Sequence, residues 1–443
     1  MGKKRETVRK IAKGKRAVIG IAAVVAILCV IIMLLVFGGA GAVTLFSEDE
    51  EKVQTAAEAA KSSSANRQVI FSMGEEAGEV YISWKGKEEG PRLLRYAGDK
   101  YSLPVQVPIR AQRTKILKGD YYRFKVKLTG VKPGKTYYYE IGDGTVYDSP
   151  RFFSAPDKDG EDVFAYLGDP QFDKTTADYG PWGRLTYNMY AANTDLEFVL
   201  MGGDMVNIPT REDHWNGFLD NSGLFSMVPL MTIPGNHEGV VSNNTYKKLF
   251  HHINNGPEGE AFYWFESENC RFIMLDSSFL TKARKLAMGK EPWADKKEEV
   301  DKWLRETLED SRKTWNVVVV HHPVYGLHDV FTVSPEIREE WLPIMKEEGV
   351  DLVLCGHQHV YMRTRALDGI VHVMGVSGAK RSKYYRGMNE PAYSQSIYAS
   401  GPNYQMFKAT DKYLEIVSYN ENGSIIDAAR IKKGINLPYF QIF

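Results

Sequence analysis

Cysteine is scarce in this chain: three residues in 443, Cys29, Cys270 and Cys355. Three scattered thiols build neither a disulfide framework nor a thiolate zinc site. Cys29 falls inside a long apolar run and the other two in short strand-like stretches, so all three read as small buried hydrophobes. A metal in this protein must therefore be held by oxygen and imidazole. Net charge is missing as well. The 56 basic residues cancel the 56 acidic ones, which leaves no overall positive field of the kind that draws nucleic acid, and no nucleic-acid partner is expected. What is present is ordinary for a globular protein: 43% hydrophobic and 25% charged residues, enough to bury a sizeable core. The length suggests about two to three domains. No internal repeat is evident.

The N-terminus is organised differently from the rest. Residues 1–16 carry eight Lys or Arg and one Glu, and no charge follows between Ala17 and Ser47. The apolar core 17–37 is 21 residues long, sufficient to cross a bilayer as a helix and longer than the apolar stretch of most cleaved signals. Basic residues ahead of it place the N-terminus inside and the remainder outside. The expectation is a single-pass cell-membrane protein: basic cytoplasmic segment 1–16, signal-anchor 17–43 and linker 44–67, with the bulk extracellular. Ala40-Gly41-Ala42 offers the alternative of signal cleavage and secretion.

From Gln68 to about residue 157 the pattern is strand-like. VYISW (80–84), YYRFKVKL (121–128) and TYYYEI (136–141) alternate apolar and polar residues between turn signals, as in a β-sandwich with Trp84 in its core. Tyr137, Tyr138 and Tyr139 read as strand packing in preference to a ligand platform. After Asp162 apolar strand runs alternate with helical stretches near 182–194, 211–221, 243–253, 294–312 and 335–348. That alternation predicts an α/β domain over 160–432. Val300, Trp303, Leu304 and Leu308 fall on one helical face. YLEIVSYNENGSIIDAARI (413–431) reads as a terminal hairpin turning at Asn-Gly.

Polar residues cluster at the ends of the apolar strands. VFAYLGD, LEFVLMGGD, PLMTIPGNH, WNVVVVHH and DLVLCGH each close on a metal-ligating type: Asp169, Asp204, Asn236, His321 and His357. A single strand end of this kind is usually a turn residue. Five in order deliver a mixed carboxylate, carboxamide and imidazole set to one sheet edge, where α/β folds hold ligands. Of ten histidines, five (His237, His321, His322, His357 and His359) lie in these motifs. His357 and His359 alternate, so the backbone must bend for both rings to converge, and Gly356 is placed to permit it. The donor set suits iron, manganese or zinc. Asp204 is the natural bridge, and two metals sharing a hydroxide would serve in-line displacement at phosphorus.

The ordered motifs G-D169-P-Q, G-G-D204, G-N236-H-E, H321-H-P-V-Y and G-H357-Q-H359 resemble the calcineurin-like metallophosphoesterase superfamily. LTGVKPGKTYYYEIGDG (128–144) looks like the end of the fibronectin-like N-terminal domain found in its purple acid phosphatase branch. The resemblance implies a fibronectin-like sandwich (68–157) followed by a metallophosphoesterase domain (160–432), with two metal ions of the Fe, Mn or Zn kind. Asp169 and His359 would serve the first metal, Asp204 would bridge, and Asn236, His321 and His357 would complete the second. His237 would steady the phosphate or protonate the leaving oxygen. His321 fits the H-x-P-x-Y register better than His322.

Two departures stand out. The branch carries Tyr three residues after the bridging Asp, and here that residue is Asn207; without a phenolate the protein is expected not to be purple. Gln171 occupies the third position of D-P-Q, where it would either ligate through its amide oxygen or bind a metal-bound water. His214, Tyr325, His328, Tyr361 and Arg363 lie where loops could face a substrate, although Arg363 reads equally as an ion-pair partner. His251 and His252 read as structural. The leading expectation is an extracytoplasmic hydrolase of phosphate monoesters that uses a hydroxide held by two metals. A phosphodiesterase acting on nucleotides or envelope polymers, and a non-catalytic surface binding protein, are the alternatives. Oligomeric state is open.

Overall fold

The strand ends converge because the strands are buried on both faces, which is why they read as unbroken apolar runs. The computed structural model describes residues 68–433 except 89, 118–120, 173–178, 240–243, 251–252, 258–260, 331 and 383–389. The expected signal-anchor (17–43), with the basic segment and linker around it, therefore lies outside the described residues, as do His251 and His252. Among the described residues no helix is long and apolar enough to cross a membrane.

Eight short strands form the first layer pair: β1 (Ile70–Met73), β2 (Val80–Lys87), β3 (Leu93–Ala97), β4 (Ile109–Arg110), β5 (Gln112–Lys115), β6 (Tyr121–Leu128), β7 (Thr136–Gly142) and β8 (Arg151–Ser154). They make two antiparallel sheets, ordered β1-β2-β6-β5 and β4-β3-β7-β8. Alternation along β2 and β6 turns Ile82, Trp84, Phe124 and Val126 inward, where they pack with Tyr139, Ile141 and Phe153 from the facing sheet. Trp84 is fully buried, as expected, and its indole N–H donates to the Pro91 carbonyl.

The second domain is a pair of packed sheets. One is ordered β11-β10-β9-β19-β20-β21, from β9 (Asp162–Leu167), β10 (Phe198–Met201), β11 (Leu230–Thr232), β19 (Asn403–Ala409), β20 (Leu414–Asn420) and β21 (Ile425–Ile431). The other is ordered β12-β13-β14-β15-β17-β16-β18, from β12 (Phe262–Glu266), β13 (Cys270–Leu275), β14 (Trp315–Val320), β15 (Leu352–Cys355), β16 (Tyr361–Thr364), β17 (Val371–Met374) and β18 (Ser394–Tyr398). Phe164, Phe198 and Leu200 from one sheet meet Phe272, Val317 and Leu352 from the other. The outward faces are covered by helices, Gly180–Ala192 on the first sheet and Lys290–Glu309 on the second. Val300, Leu304 and Leu308 are buried there as the periodicity requires, with Trp303 packed at their edge. β20 and β21 pair as the antiparallel hairpin predicted for the tail. Cys270 and Cys355 are free and buried.

The two domains share apolar packing. Ile70, Ile116 and Phe152 of the sandwich join the core formed by Leu167, Trp182 and Phe218. Polar contacts fix the same seam. Lys85 Nζ lies 2.5 Å from Glu212 Oε1 and bonds Asn216, while Tyr139 Oη donates to the Ser226 carbonyl at 2.8 Å. Tyr139 is thus packing at its ring and a domain contact at its hydroxyl. Tyr137 stacks on Phe153, and Tyr138 packs at a tilt against Phe152.

Candidate metal centre

Within each sheet the parallel register brings the strand ends level. Leu167, Met201 and Thr232 stand side by side on β9, β10 and β11, so the loops that follow bring Asp169, Asp204 and Asn236 to one edge. In the facing sheet Val319 is level with Leu354, which places His321 and His357 on the same edge. Ligand atoms of Asp204, His321 and His357 all lie within 4.8 Å of one another, and so do those of Asp169, Asp204 and His359. Asp204 belongs to both groups.

The backbone is bent to do this. Among the described residues, six non-glycine residues have positive φ, and four of them are Asp169 (48°), Asp204 (50°), His357 (74°) and His359 (52°). Such left-handed positions cluster at functional sites, where the surroundings hold them in place. The bend expected around Gly356 is therefore taken up by the histidines themselves. Gly356 has another role: a Cβ there would lie 2.1 Å from Asp169 Oδ2. Gly235 is equally constrained, since its Cβ would meet Asp204 Oδ1 at 2.2 Å.

The surrounding hydrogen bonds set the donor atoms. His321 Nδ1 donates to the Gly202 carbonyl at 2.8 Å, leaving Nε2 aimed at Asp204 Oδ2 (3.2 Å) and Asn236 Oδ1 (3.1 Å). His357 Nδ1 lies 2.8 Å from the same Asn236 oxygen. These donor atoms converge closely enough that a metal ion could take the place of the protons between them. Burial, the largest influence, opposes charge on His321, yet Asp204, Asp169 and the Gly202 carbonyl together lift its imidazole to about 10. A pocket that draws a proton so strongly also suits a metal ion. Burial and the Asp204 charge push Asp169 up to about 8. Burial works the same way on Asp204, but His321 and His237 outweigh it and hold that carboxylate well below its usual range.

Gln171 is fully buried among these groups. Its Nε2 sits 3.2 Å from Asp204 Oδ2 and 3.1 Å from His359 Nε2, leaving Oε1 buried without a hydrogen-bond partner. A half-turn of the carboxamide sets that oxygen among the cluster atoms. Oxygen and nitrogen donors without sulfur fit iron, manganese or zinc.

The two adjacent histidines differ in their contacts. His322 belongs to neither donor group: Ser277 Oγ lies 2.7 Å from its Nδ1 and accepts its backbone N–H at 3.0 Å, while its ring centroid is 4.3 Å from that of His357. Burial, with His357 and His321 nearby, pushes its pKa well below the usual value. His237 donates its backbone N–H to Asp204 Oδ1 (2.9 Å) and its Nδ1–H to the Asn207 carbonyl (2.8 Å), leaving Nε2 3.9 Å from Asp204 Oδ2.

The residues at the periphery fare differently. Arg363 and Tyr361 do not face a substrate. The guanidinium forms a two-pronged pair with Asp427 (2.6 and 3.0 Å) and the Tyr361 hydroxyl donates to the same carboxylate, all of it buried. Strand position on β16 put these side chains inside the sheet, and no local pattern announced Asp427 as their partner. Tyr325 packs edge-on to His372. His214 is buried and accepts the Ile208 N–H through Nδ1. His328 accepts the Val330 N–H.

Sequence reasoning assigned no role to Glu238, the last residue of GNHE. Its buried carboxylate accepts backbone N–H groups from Asp204 (2.9 Å), Gly235 (2.9 Å) and Val206 (3.0 Å). The available signal was its motif position beside Asn236.

Residues 163–361 match the family described as calcineurin-like phosphoesterase, and residues 66–155 match the purple acid phosphatase N-terminal domain. The chain carries a calcineurin-like phosphoesterase domain behind a purple acid phosphatase N-terminal domain. Purple acid phosphatase 18 of Arabidopsis thaliana is 25% identical over 372 residues, covering 76% of this chain and 77% of that protein. An uncharacterized protein of Mycobacterium tuberculosis is 28% identical over 192 residues, 39% of this chain, and the match spans only 35% of that relative. A purple acid phosphatase structure from yellow lupin seeds superposes with a TM-score of 0.67 at 16% identity, over 82% of this chain and 74% of that one. The likeness is one of fold. The matched domains and the two overlapping donor groups fit a hydrolase with a dinuclear metal centre.

Proposed function

We propose that this metallophosphoesterase hydrolyses phosphate monoesters outside the cytoplasm. The carrying observation is the pair of overlapping donor groups joined at Asp204. In this reading Asp169, Gln171 and His359 hold one metal, Asn236, His321 and His357 hold the other, and Asp204 bridges. When bound, the two metals supply Lewis-acid polarisation and neutralise charge at the phosphoryl group.

The protein's own groups do the rest. Gly202 fixes His321 with Nε2 inward, and the Asp169 carboxylate accepts the His357 N–H at 2.8 and 3.0 Å, tying the two metal-bearing loops together. Such contacts orient metal ligands, and the Gly202 carbonyl also raises the basicity of His321. His237 is locked by Asn207 at Nδ1, so Nε2 is the nitrogen left to meet substrate, and its side chain is 26% exposed. It is placed to steady the phosphoryl oxygens or hand a proton to the leaving oxygen. The names of the plant relatives support the monoester reading, and the basic-then-apolar N-terminus supports the location.

The test is to strip the purified chain with chelator, reload Mn²⁺, Fe²⁺ or Zn²⁺, and compare p-nitrophenyl phosphate with bis-p-nitrophenyl phosphate. Metal-dependent turnover favouring the first is expected. A preference for the diester would replace the monoester reading, and a chain that takes up no metal would overturn the dinuclear one. Protease added to intact cells should remove the catalytic domain; full protection would refute the location.

A further inference from the structure

Tyr166, near the end of β9, is fully buried in the core between the two sheets. Its ring tip meets three glycines, each the first residue after a strand: Gly168 after β9, Gly202 after β10 and Gly375 after β17. A Cβ on Gly202 would lie 2.0 Å from Tyr166 Oη, 2.7 Å from Cζ and 2.9 Å from Cε2. One on Gly168 would lie 3.3 Å from the same oxygen, and one on Gly375 3.3 Å from Cε1. At Gly202, then, only bare backbone fits against the ring tip.

Each glycine leads to a different part of the cluster. Gly168 precedes Asp169. Gly202 stands two residues before Asp204, and its carbonyl accepts the His321 Nδ1–H at 2.8 Å. Gly375 comes from the facing sheet, where its N–H donates to the Cys355 carbonyl (3.0 Å), two residues ahead of His357. Beyond it the chain returns to the first sheet, with Ser377 N donating to the Gly168 carbonyl (2.6 Å) and Gly378 N to the Asp169 carbonyl (3.1 Å). The tip of Tyr166 is thus a common floor for loops of both sheets.

The hydroxyl makes no hydrogen bond to any protein group. Buried without a partner, it costs stability that a phenylalanine would spare. What it supplies is bulk, as the atom nearest Gly202 and the one that meets Gly168. We propose that Tyr166 is a positioning residue of the metal centre, its hydroxyl oxygen acting as the spacer that sets the separation of the Asp169, Asp204 and His321 donors. This rests on the dinuclear reading above. A close-packed interior relaxes only partly around a lost atom, and a donor set needs placement to within about 0.5 Å. Phenylalanine would keep the ring but let Gly202, with the carbonyl that aims His321, settle toward it.

The experiment uses the full chain as wild type, Tyr166→Phe, Gly202→Ala and the double variant. Each is stripped with chelator and titrated with Mn²⁺ by calorimetry. Electron paramagnetic resonance of the loaded protein reports whether two Mn²⁺ ions are coupled, and thermal melts are run alongside. In Y166F the Mn²⁺ affinity should fall about tenfold and the coupled signal weaken. Its melt should stay close to that of wild type, because the lost contact is offset by removal of an unpaired buried hydroxyl. G202A should lose at least as much, its methyl forcing the ring tip away. The two changes meet at one contact, so their losses should not add: the double variant, whose methyl refills the space of the oxygen, should bind Mn²⁺ more tightly than G202A. Wild-type affinity and coupling in Y166F would overturn the proposal, as would losses that simply add. A melt that falls in step with the affinity would also overturn it, reducing Tyr166 to ordinary core packing. The wild type separates these failures from that of the dinuclear reading. Should it take up a single Mn²⁺, the dinuclear reading falls; a tenfold weakening in Y166F then still upholds the spacer, and unchanged affinity still refutes it.

Discussion

Glu238→Gln tests whether Asp204 is held in place by the backbone around it. The carboxylate is buried, with Oε2 accepting from Asp204 N and Gly235 N and Oε1 accepting from Val206 N. Glutamine has one acceptor oxygen. Set in the place of Oε2 it keeps two bonds, in weaker uncharged form, and turns its NH₂ against the Val206 N–H. A hydrogen bond to a charged group contributes about 1.5–3 kcal/mol, and a buried donor left unpaired costs about 1–3 kcal/mol. Against this, the variant removes a charge that burial and Asp204 both disfavour, enough to raise Glu238 to about 7. The net expectation is about 1–3 kcal/mol of destabilisation, read as a fall of about 2–4 °C in Tm per kcal/mol. The larger effect should be on the centre. Asp204 keeps its left-handed conformation (φ 50°) through this contact, so metal affinity or turnover should drop about 10–100-fold. Thermal melts, metal content and kcat would be measured side by side. A variant that melts with wild type and keeps its metals and turnover would refute the argument.

Further expectations follow from the same geometry. Asp204→Asn should abolish turnover by removing the shared charge while leaving a cooperative melt near that of wild type; substantial activity would rule Asp204 out as the bridge. Arg363→Ala strands Asp427 inside the protein and should cost about 3–5 kcal/mol, while KM for any ester stays unchanged; a raised KM in folded protein would restore Arg363 to the substrate site. Glu197 is pushed up to about 8 by burial, and its two oxygens accept Asp157 N and Val163 N. Between about 4.5 and 8 the folded state holds a proton that the unfolded state has released, so Glu197 makes stability fall as pH rises through that window. Glu197→Gln should remove this slope, and parallel stability–pH curves would show the shift to be absent. With Asn207 in place of a tyrosine, iron-loaded protein should lack a tyrosinate absorption band in its visible spectrum.

The architecture was readable where it is repetitive. Apolar runs ending in Asp, Asn or His revealed both the strands and the edge on which they converge, because a strand covered on both faces has no polar position until it leaves the sheet. The Trp84 core followed from period-two alternation, and the terminal hairpin from Asn-Gly between two strand-like runs. What escaped was set by contacts distant in the chain. The difference in contacts between His321 and His322 depends on Ser277, 45 residues away, and the placement of Arg363 on Asp427, 64 residues away. Neither partner has a local signature. Likewise the seam between domains rests on pairs such as Lys85 with Glu212 and Tyr139 with Ser226, which no spacing predicts. Glu238 was visible but silent, since a buried acceptor of backbone N–H groups looks in sequence like any motif glutamate.

The left-handed backbone at Asp169, Asp204, His357 and His359 bears on what each position can hold. A side chain in this conformation costs about 1–2 kcal/mol relative to glycine, and each of these four is strained for the sake of the centre it builds. Glycine alone would relieve that strain, and it would remove the donor atom with it. All four side chains are present, together with Asn236 and His321. Backbone strain and metal-ligating side chains are thus found at the same four positions.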